Sequence, residues 1–116
     1  MAKKIVLHIA DPDLAETLVR VIENDPDLKQ LPVSFGEQEA SFDPHWVYVI
    51  DSEALSCPRI RELVSRKDPH VVLMVQVGDS ASYARAWEMN IHKVVERTVP
   101  PDIMRLALVS EVRGAR

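Results

Sequence analysis

The stretch WVYVID, Trp46–Asp51, decides the fold of this 116-residue chain. It is a run of β-branched and aromatic residues that follows Pro44 closely and ends on a carboxylate. An apolar run without polar alternation is typical of a strand covered on both faces, as in a parallel sheet between two layers of helices. Ligands of open α/β sheets bind beyond the carboxyl ends of the strands, so a functional site is expected at Asp51.

Short apolar segments alternate with segments of helical spacing along the rest of the chain. This alternation predicts a single doubly wound α/β domain. The predicted strands are Lys3–Ala10, Leu31–Phe35, Trp46–Asp51, Val71–Val77 and His92–Glu96. The predicted helices are Leu14–Asn24, Pro58–Ser65, Ser80–Met89 and a last one that starts at Pro100-Pro101-Asp102 and runs to Arg113.

The connections between these elements carry the usual boundary residues. Asp13 is predicted to cap the first helix, and Asp79 or Ser80 the helix that follows the fourth strand. Between Gly36 and Pro44 there is room for barely two turns of helix. The second crossover is therefore predicted to be an irregular loop or a one-turn helix.

The composition favours a soluble domain with a real core, since 47% of the residues are hydrophobic. The formal net charge is -4, and without basic runs the chain is not suited to bind nucleic acid or an anionic membrane. Cys57 is the one cysteine, so the chain has no internal disulfide and no CxxC metal site. No segment reads as a signal peptide or a membrane span, and we expect a cytoplasmic location.

Several motifs at the strand ends share one pattern. Lys3–Pro12 reads KKIVLHIADP, where receiver domains of response regulators typically read KKILIVDDDP. Asp51 ends the third strand as the phosphoacceptor aspartate of that family does. On these motifs the chain resembles the receiver domain of bacterial response regulators over essentially its whole length. Further matching turns are Val77-Gly78-Asp79, Asn90-Ile91, Arg97-Thr98 and Pro100-Pro101-Asp102.

This resemblance implies a flavodoxin-like fold, with five parallel strands in the order 2-1-3-4-5 and a shortened second helix. It also implies a role in two-component signal transduction. We expect residues 1–116 to form one receiver-like domain, the N-terminal part of a longer protein that carries an effector domain.

The departures from the family pattern fall on the active site. Two adjacent acids hold Mg²⁺ in receivers, but Ile9 and Ala10 take their places, and only Asp11 remains as a residual acidic position. Val75 replaces the Ser/Thr that contacts the phosphoryl group, and Arg97 stands at the switch-lysine position. Leu55 replaces the usual proline four places after the acceptor.

Asp51 therefore has two interpretations. Phosphoryl transfer to a carboxylate needs a divalent cation, which is usually held by at least one or two further carboxylates, and here only Asp11 is available. The preferred interpretation is a degenerate phosphoacceptor position in which Asp51 pairs with Arg97 across the strand ends. The alternative is a working receiver that accepts a phosphoryl group on Asp51 with Mg²⁺ as its cofactor.

No other chemistry is indicated by the sequence. The four histidines His8, His45, His70 and His92 lie on different segments without metal-ligand spacing. With three glycines the chain has no phosphate-binding loop, so a small-ligand or nucleotide pocket is a third, weaker alternative. We expect no catalytic residue, no metal and no cofactor.

The last helix carries a second apolar stripe beside the one that should face the sheet. Ile103, Leu106 and Val109 form this stripe, and Tyr83 and Trp87 on the preceding helix could add aromatic anchors. The other interpretation is a single stripe that wraps wider over the core. Receivers commonly dimerise through the fourth helix, fifth strand and fifth helix, so the resemblance implies a homodimer on this surface.

Together these features predict a pseudo-receiver that acts by protein-protein contact and is not an enzyme. The attached effector would belong to a bacterial transcriptional regulator or to a MinD-like ATPase. We expect no membrane contact and no direct nucleic-acid contact by this domain.

Overall fold

The computed structural model of this chain describes residues 4–36, 43–66 and 68–115. Its sheet is made of β1 (Ile5–His8), β2 (Val33–Phe35), β3 (Val47–Asp51), β4 (Val71–Val75) and β5 (Lys93–Glu96). The helices are α1 (Pro12–Glu23), α2 (Pro58–Val64), α3 (Ser80–Glu88) and α4 (Pro101–Gly114), and a short 3-10 helix (Ser52–Ser56) follows β3.

All neighbouring strands are parallel, in the order β2-β1-β3-β4-β5. The predicted doubly wound fold and strand order are therefore confirmed. The expected short helix between the second and third strands falls largely on residues 37–42, outside the described residues. No helix in the described ranges is long and apolar enough to cross a membrane.

Successive residues of β3 point to opposite faces of the sheet and enter two different cores. Val49 packs in the core beneath α1 and α4, whereas Tyr48 and Ile50 pack in the core beneath α2 and α3. All five residues of β3 are buried, as the unbroken apolar run predicts. The strand therefore ends in the middle of the sheet with Asp51 beside the protein interior.

The first helix begins earlier than predicted. Asp11, and not Asp13, is its N-cap, and the Asp11 carboxylate accepts a hydrogen bond from the Asp13 N–H at 2.9 Å. Pro12 occupies the first helical position, where a missing N–H costs nothing because that group would have no partner in the helix. The correction gives Asp11 a structural role at the end of the sheet that carries Asp51.

A close approach fixes the residue after β2. A Cβ atom at Gly36 would lie 2.1 Å from Nδ1 of His8, so a side chain cannot fit there unless His8 moves. His8 itself is only partly buried at the end of β1.

The connection after α1 contains a buried acid, Asp25, directly before Pro26. Asp25 is buried and accepts hydrogen bonds from the N–H groups of Asp27 and Leu28, and Arg105 of α4 donates to its other oxygen at 3.2 Å. Burial raises the pKa of Asp25, but these donors outweigh it and hold the pKa below its ordinary value. The carboxylate thus joins the end of α1 to α4.

Replacing this acid should destabilise the fold. We expect Asp25→Ala to lower the free energy of unfolding by about 2–3 kcal/mol, because buried N–H donors and Arg105 lose their acceptor. The neighbouring Asp27→Ala is the control, since its pair with Arg113 is exposed and 3.8 Å long, and it should change stability by less than about 0.5 kcal/mol. Urea unfolding of both variants measures the difference, and equal effects would contradict the role of Asp25.

Candidate functional site

The Asp51 carboxylate lies at the carboxyl end of β3, where sheets of this topology bind ligands. Its side chain caps the 3-10 helix, with Oδ1 accepting from the N–H of Ala54 at 3.1 Å. Oδ2 accepts from the N–H of Ala10 at 2.6 Å, across 41 residues of sequence. Asp51 is only 7% exposed, and each of its oxygens has a backbone donor.

The second carboxylate of the site belongs to Asp11. One of its oxygens accepts the N–H of Asp13, and the other accepts from the Arg97 guanidinium in an ion pair. The side chains of Asp11 and Arg97 are 37% and 24% exposed, so the pair lies at the rim of the site. The Arg97 hydrogen bond and the Asp13 N–H hold the pKa of Asp11 below its ordinary value of 3.8.

The predicted pair between Asp51 and Arg97 is therefore wrong. Arg97 follows β5 and is anchored by its own N–H, which donates to the carbonyl of Val75 at 2.8 Å. Its guanidinium reaches Asp11 at the rim, whereas both oxygens of Asp51 already accept backbone N–H groups. The more exposed acid takes the cation because the buried one is satisfied by amides.

The other substituted positions are apolar and contribute no ligand. Ile9 is partly buried and packs against the core on the α1 side, while Val75 and Leu55 are buried in the core on the α2 side. Ala10 is exposed and offers the site its backbone N–H. These four residues leave Asp51 and Asp11 as the carboxylates that reach the site from the strand ends.

A cavity of about 290 Å³ opens beside these two carboxylates. Glu53 and Gln76 line it together with Asp51, Asp11 and Arg97, and the sequence analysis did not single out either residue. Glu53 lies two residues beyond the strand end, which is a position that could have suggested it. No group of three or more acids, histidines or cysteines in the described ranges is arranged to hold a metal.

His8 ends β1 in register with Ile50, close to this site, whereas the other three histidines lie away from it. His45 is exposed just before β3, and His92 is exposed just before β5. His70 lies just before β4, at the amino end of the strands and so at the opposite end from Asp51. Its Nδ1 is 3.4 Å from a carboxylate oxygen of Glu111 in α4. Lys93 of β5 also pairs with Glu111, at 3.4 Å.

The predicted contact surface is exposed, with one correction. Tyr83 and Trp87 on α3 and Ile103 and Leu106 on α4 are exposed, and Trp87 reaches 84%. Val109 is instead buried, at 9% exposure, and packs in the core with α1. Here the apolar stripe does wrap onto the core, so Val109 does not belong to the surface; below, the contact surface means the other four residues.

Helix α3 directs its bulk outward. Its buried residues are the small Ser82 and Ala86, whereas both of its aromatic residues, Tyr83 and Trp87, face solvent. Asp79 caps the helix through the N–H and hydroxyl of Ser82, which lower the pKa of Asp79. An amphipathic helix of a monomer usually shows the reverse arrangement.

No protein-family model matches this sequence, and no curated protein matches it either. The fold itself has clear counterparts among solved structures. The BeF3-activated receiver domain of DrrB, from Thermotoga maritima, has a TM-score of 0.68 and 18% identity over 97% of this chain and 99% of that chain. A response regulator receiver protein from Pseudoalteromonas atlantica has a TM-score of 0.70 and 15% identity, over 97% and 99% of the two chains.

A third counterpart is the pilus assembly protein CpaE from Caulobacter crescentus, with a TM-score of 0.62 and 15% identity over 92% of this chain and 97% of that chain. At such identities the likeness concerns the fold. The chain therefore has the receiver fold.

The ion pair at the rim can be tested by titration. A carboxyl group whose pKa is lowered by folding stabilises the folded state at pH values above its unfolded pKa, which is near 3.8 for Asp11. This stabilisation is lost as the pH falls through the pKa of the folded state. We expect Arg97→Ala to raise the pKa of Asp11 toward 3.8, and the variant should therefore lose less stability than the unsubstituted chain when the pH is lowered. Asp79, whose pKa is lowered by Ser82, is the internal control and should not move. Carbon-detected NMR of the carboxyl groups measures both, and an unmoved Asp11 would contradict the pair.

Proposed function

We propose that this domain is a pseudo-receiver, a signalling module that acts through protein-protein contact and does not undergo Mg²⁺-dependent phosphorylation. One observation carries the proposal: the groups that would perform the chemistry already have partners within the chain. Arg97 is paired with Asp11, and both oxygens of Asp51 accept backbone N–H groups.

This arrangement works against phosphoryl transfer in two ways. A carboxylate nucleophile needs a divalent cation to offset the charge of the incoming phosphate, and Mg²⁺ is usually held by one or two carboxylates plus water and phosphate oxygens. Asp11 is neutralised by Arg97, so a metal would have to displace a guanidinium. Val75 is buried and has no hydroxyl to stabilise a transferred phosphoryl group.

The alternative function is a working receiver that is phosphorylated on Asp51. The position of Asp51 at the end of β3, beside a cavity of about 290 Å³ with Arg97 in its wall, favours this alternative. Mg²⁺ would then be held by Asp51 and Asp11, after Arg97 had left Asp11. The solved receiver of DrrB is described as BeF3-activated, so its fold supports such chemistry in that protein.

Exposure to a phosphoryl donor separates the two functions. We expect no mass increase when the chain is incubated with acetyl phosphate and Mg²⁺, because the cation site is occupied by Arg97. Amide signals around Asp51 should also stay in place when beryllofluoride is added. Intact-mass spectrometry and two-dimensional NMR measure these outcomes.

The control for that experiment is Asp51→Asn. A Mg²⁺-dependent mass increase of about 80 Da, the mass of a phosphoryl group, that Asp51→Asn abolishes would overturn the proposal in favour of the working receiver. Arg97→Lys extends the test, since a lysine keeps the positive charge on a smaller head group and should hold Asp11 less firmly than the guanidinium does.

We further propose that the contact surface mediates homodimerisation through α3, β5 and α4. Trp87 at 84% exposure keeps a large apolar area in water, which a partner would bury. In a two-fold contact each copy supplies the same residues. The contact of Trp87 in one copy with Ile103 and Leu106 in the other would therefore occur twice, once on each side of the axis. Exposed tryptophans at a contact are frequent hot spots.

The module would regulate an effector in the same protein. The structural match with the longer DrrB chain covers 98% of this chain but 54% of that one. In that protein the receiver fold is therefore one part of a larger regulator. A transcriptional regulator or a MinD-like ATPase in a bacterial cytoplasm is the proposed setting. With a net charge of -4 the domain itself is not expected to contact nucleic acid or membrane.

The proposed dimer makes a measurable prediction. Leu106→Glu and Trp87→Ala should each raise the dimer dissociation constant at least about 30-fold, the effect of losing a hot spot of about 2 kcal/mol. Sedimentation velocity over a range of concentrations measures the constant.

Phe35→Glu is the matched control. Phe35 is an exposed apolar residue on β2, at the opposite edge of the sheet from β5, so its charge should leave the dimer intact. A monomer at high concentration in the unsubstituted chain would contradict the homodimer. Equal weakening by Phe35→Glu would contradict the choice of surface.

A further inference from the structure

Helix α3 has a small apolar contact with the core and a polar contact with the 3-10 helix. The side chains that it buries, Ser82 and Ala86, are small and provide little apolar area. Its N-terminus is held by the Asp79 cap. Near its C-terminal end, the guanidinium of Arg85 donates to the carbonyl of Leu55 at 3.1 Å, across 30 residues of sequence.

The carbonyl that Arg85 binds belongs to the 3-10 helix after β3. Asp51 caps that helix through the N–H of Ala54, one residue before Leu55. Leu55 is fully buried, so the loop cannot slide freely past the core, and its carbonyl is a fixed acceptor. Two hydrogen bonds, joined by the backbone from Ala54 to Leu55, therefore link Asp51 to Arg85.

Arg85 lies between the two exposed aromatic residues of α3. Tyr83 precedes it by two residues and Trp87 follows it by two. Because the helix has little apolar anchoring, the Arg85 hydrogen bond helps to set its tilt and with it the direction of the Trp87 side chain. We propose that Arg85 is a positioning residue that couples the loop capped by Asp51 to the contact surface.

The coupling is reciprocal by thermodynamic necessity. A partner that binds at Trp87 and shifts α3 changes the loop at Asp51, and a change at Asp51 alters how Trp87 is presented. The inference rests on the proposed function for the role of the contact surface, and it adds a route of regulation that needs no metal and no phosphoryl group.

A double-mutant cycle in the 116-residue chain tests the coupling. Asp51→Asn removes one carboxylate acceptor with little change in shape. We expect it to shift the indole N–H signal of Trp87 and to speed hydrogen exchange of the α3 amides roughly three- to tenfold, the range for one hydrogen bond. In an Arg85→Ala background the same Asp51→Asn change should have no further effect on either measurement.

Two variants serve as controls. Arg61→Ala removes an arginine from the groove between α2 and α3 that Arg85 also lines, but Arg61 makes no hydrogen bond to the 3-10 helix in the described residues, so the effect of Asp51→Asn should persist there. Arg85→Lys keeps a donor and should restore part of the coupling. Unfolding curves show that each variant is folded before it is compared.

An additive cycle would overturn the inference, that is, an equal effect of Asp51→Asn with and without Arg85. Measurement at a concentration where the chain is monomeric, without phosphoryl donors, keeps this outcome apart from the proposed function. A monomeric or phosphorylatable domain can still show the coupling, and a dimeric pseudo-receiver can still lack it.

Discussion

Burial of β3 on both faces constrains the rest of this domain, because a strand at the centre of the sheet must deliver its last residue into the interior. That residue is Asp51, and a buried carboxylate without donors is costly. The chain meets the cost with the amides of Ala10 and Ala54, each from a loop beside the strand end. The two loops are consequently held to the sheet by one side chain.

The same constraint separates the two acids of the site. Asp51 is buried and accepts hydrogen bonds from neutral backbone groups, while Asp11 at the rim pairs with Arg97. In many sites of clustered acids a metal ion offsets the repulsion between the carboxylates. In this chain the guanidinium of Arg97 offsets the charge of one of them. Arg97 offsets the charge of Asp11 from within the chain, and in the proposed pseudo-receiver contact between proteins takes the place of phosphoryl chemistry.

Much of the fold could be predicted because it depends on local patterns. Unbroken apolar runs indicate central strands, and strand order followed from the resemblance. Ends were less predictable: Val77 continues the apolar run but is exposed beyond β4. The choice of Asp11 over Asp13 as helix cap leaves an oxygen toward Arg97, 86 residues away, and no local pattern encodes that distance.

The errors at the site and the surface have the same origin. The burial of Asp25 depends on Arg105, 80 residues later, and the sequence shows only an acid before a proline. Val109 lies three residues after Leu106, and three residues fall about 60° short of a full helical turn. Successive members of the stripe therefore move around the helix axis, and at Val109 the stripe faces α1. Contacts between helices decide which side of a stripe is covered, and spacing within one helix does not contain them.

The small buried residues of α3 also govern how this helix would open. Local unfolding of α3 would uncover little apolar surface from the helix itself, and most of the surface that it uncovers would belong to the core beneath. Both the denaturant dependence and the heat capacity of an opening scale with that surface. The response of such an opening to urea and heat would therefore report on the sheet and α2 more than on the side chains of α3.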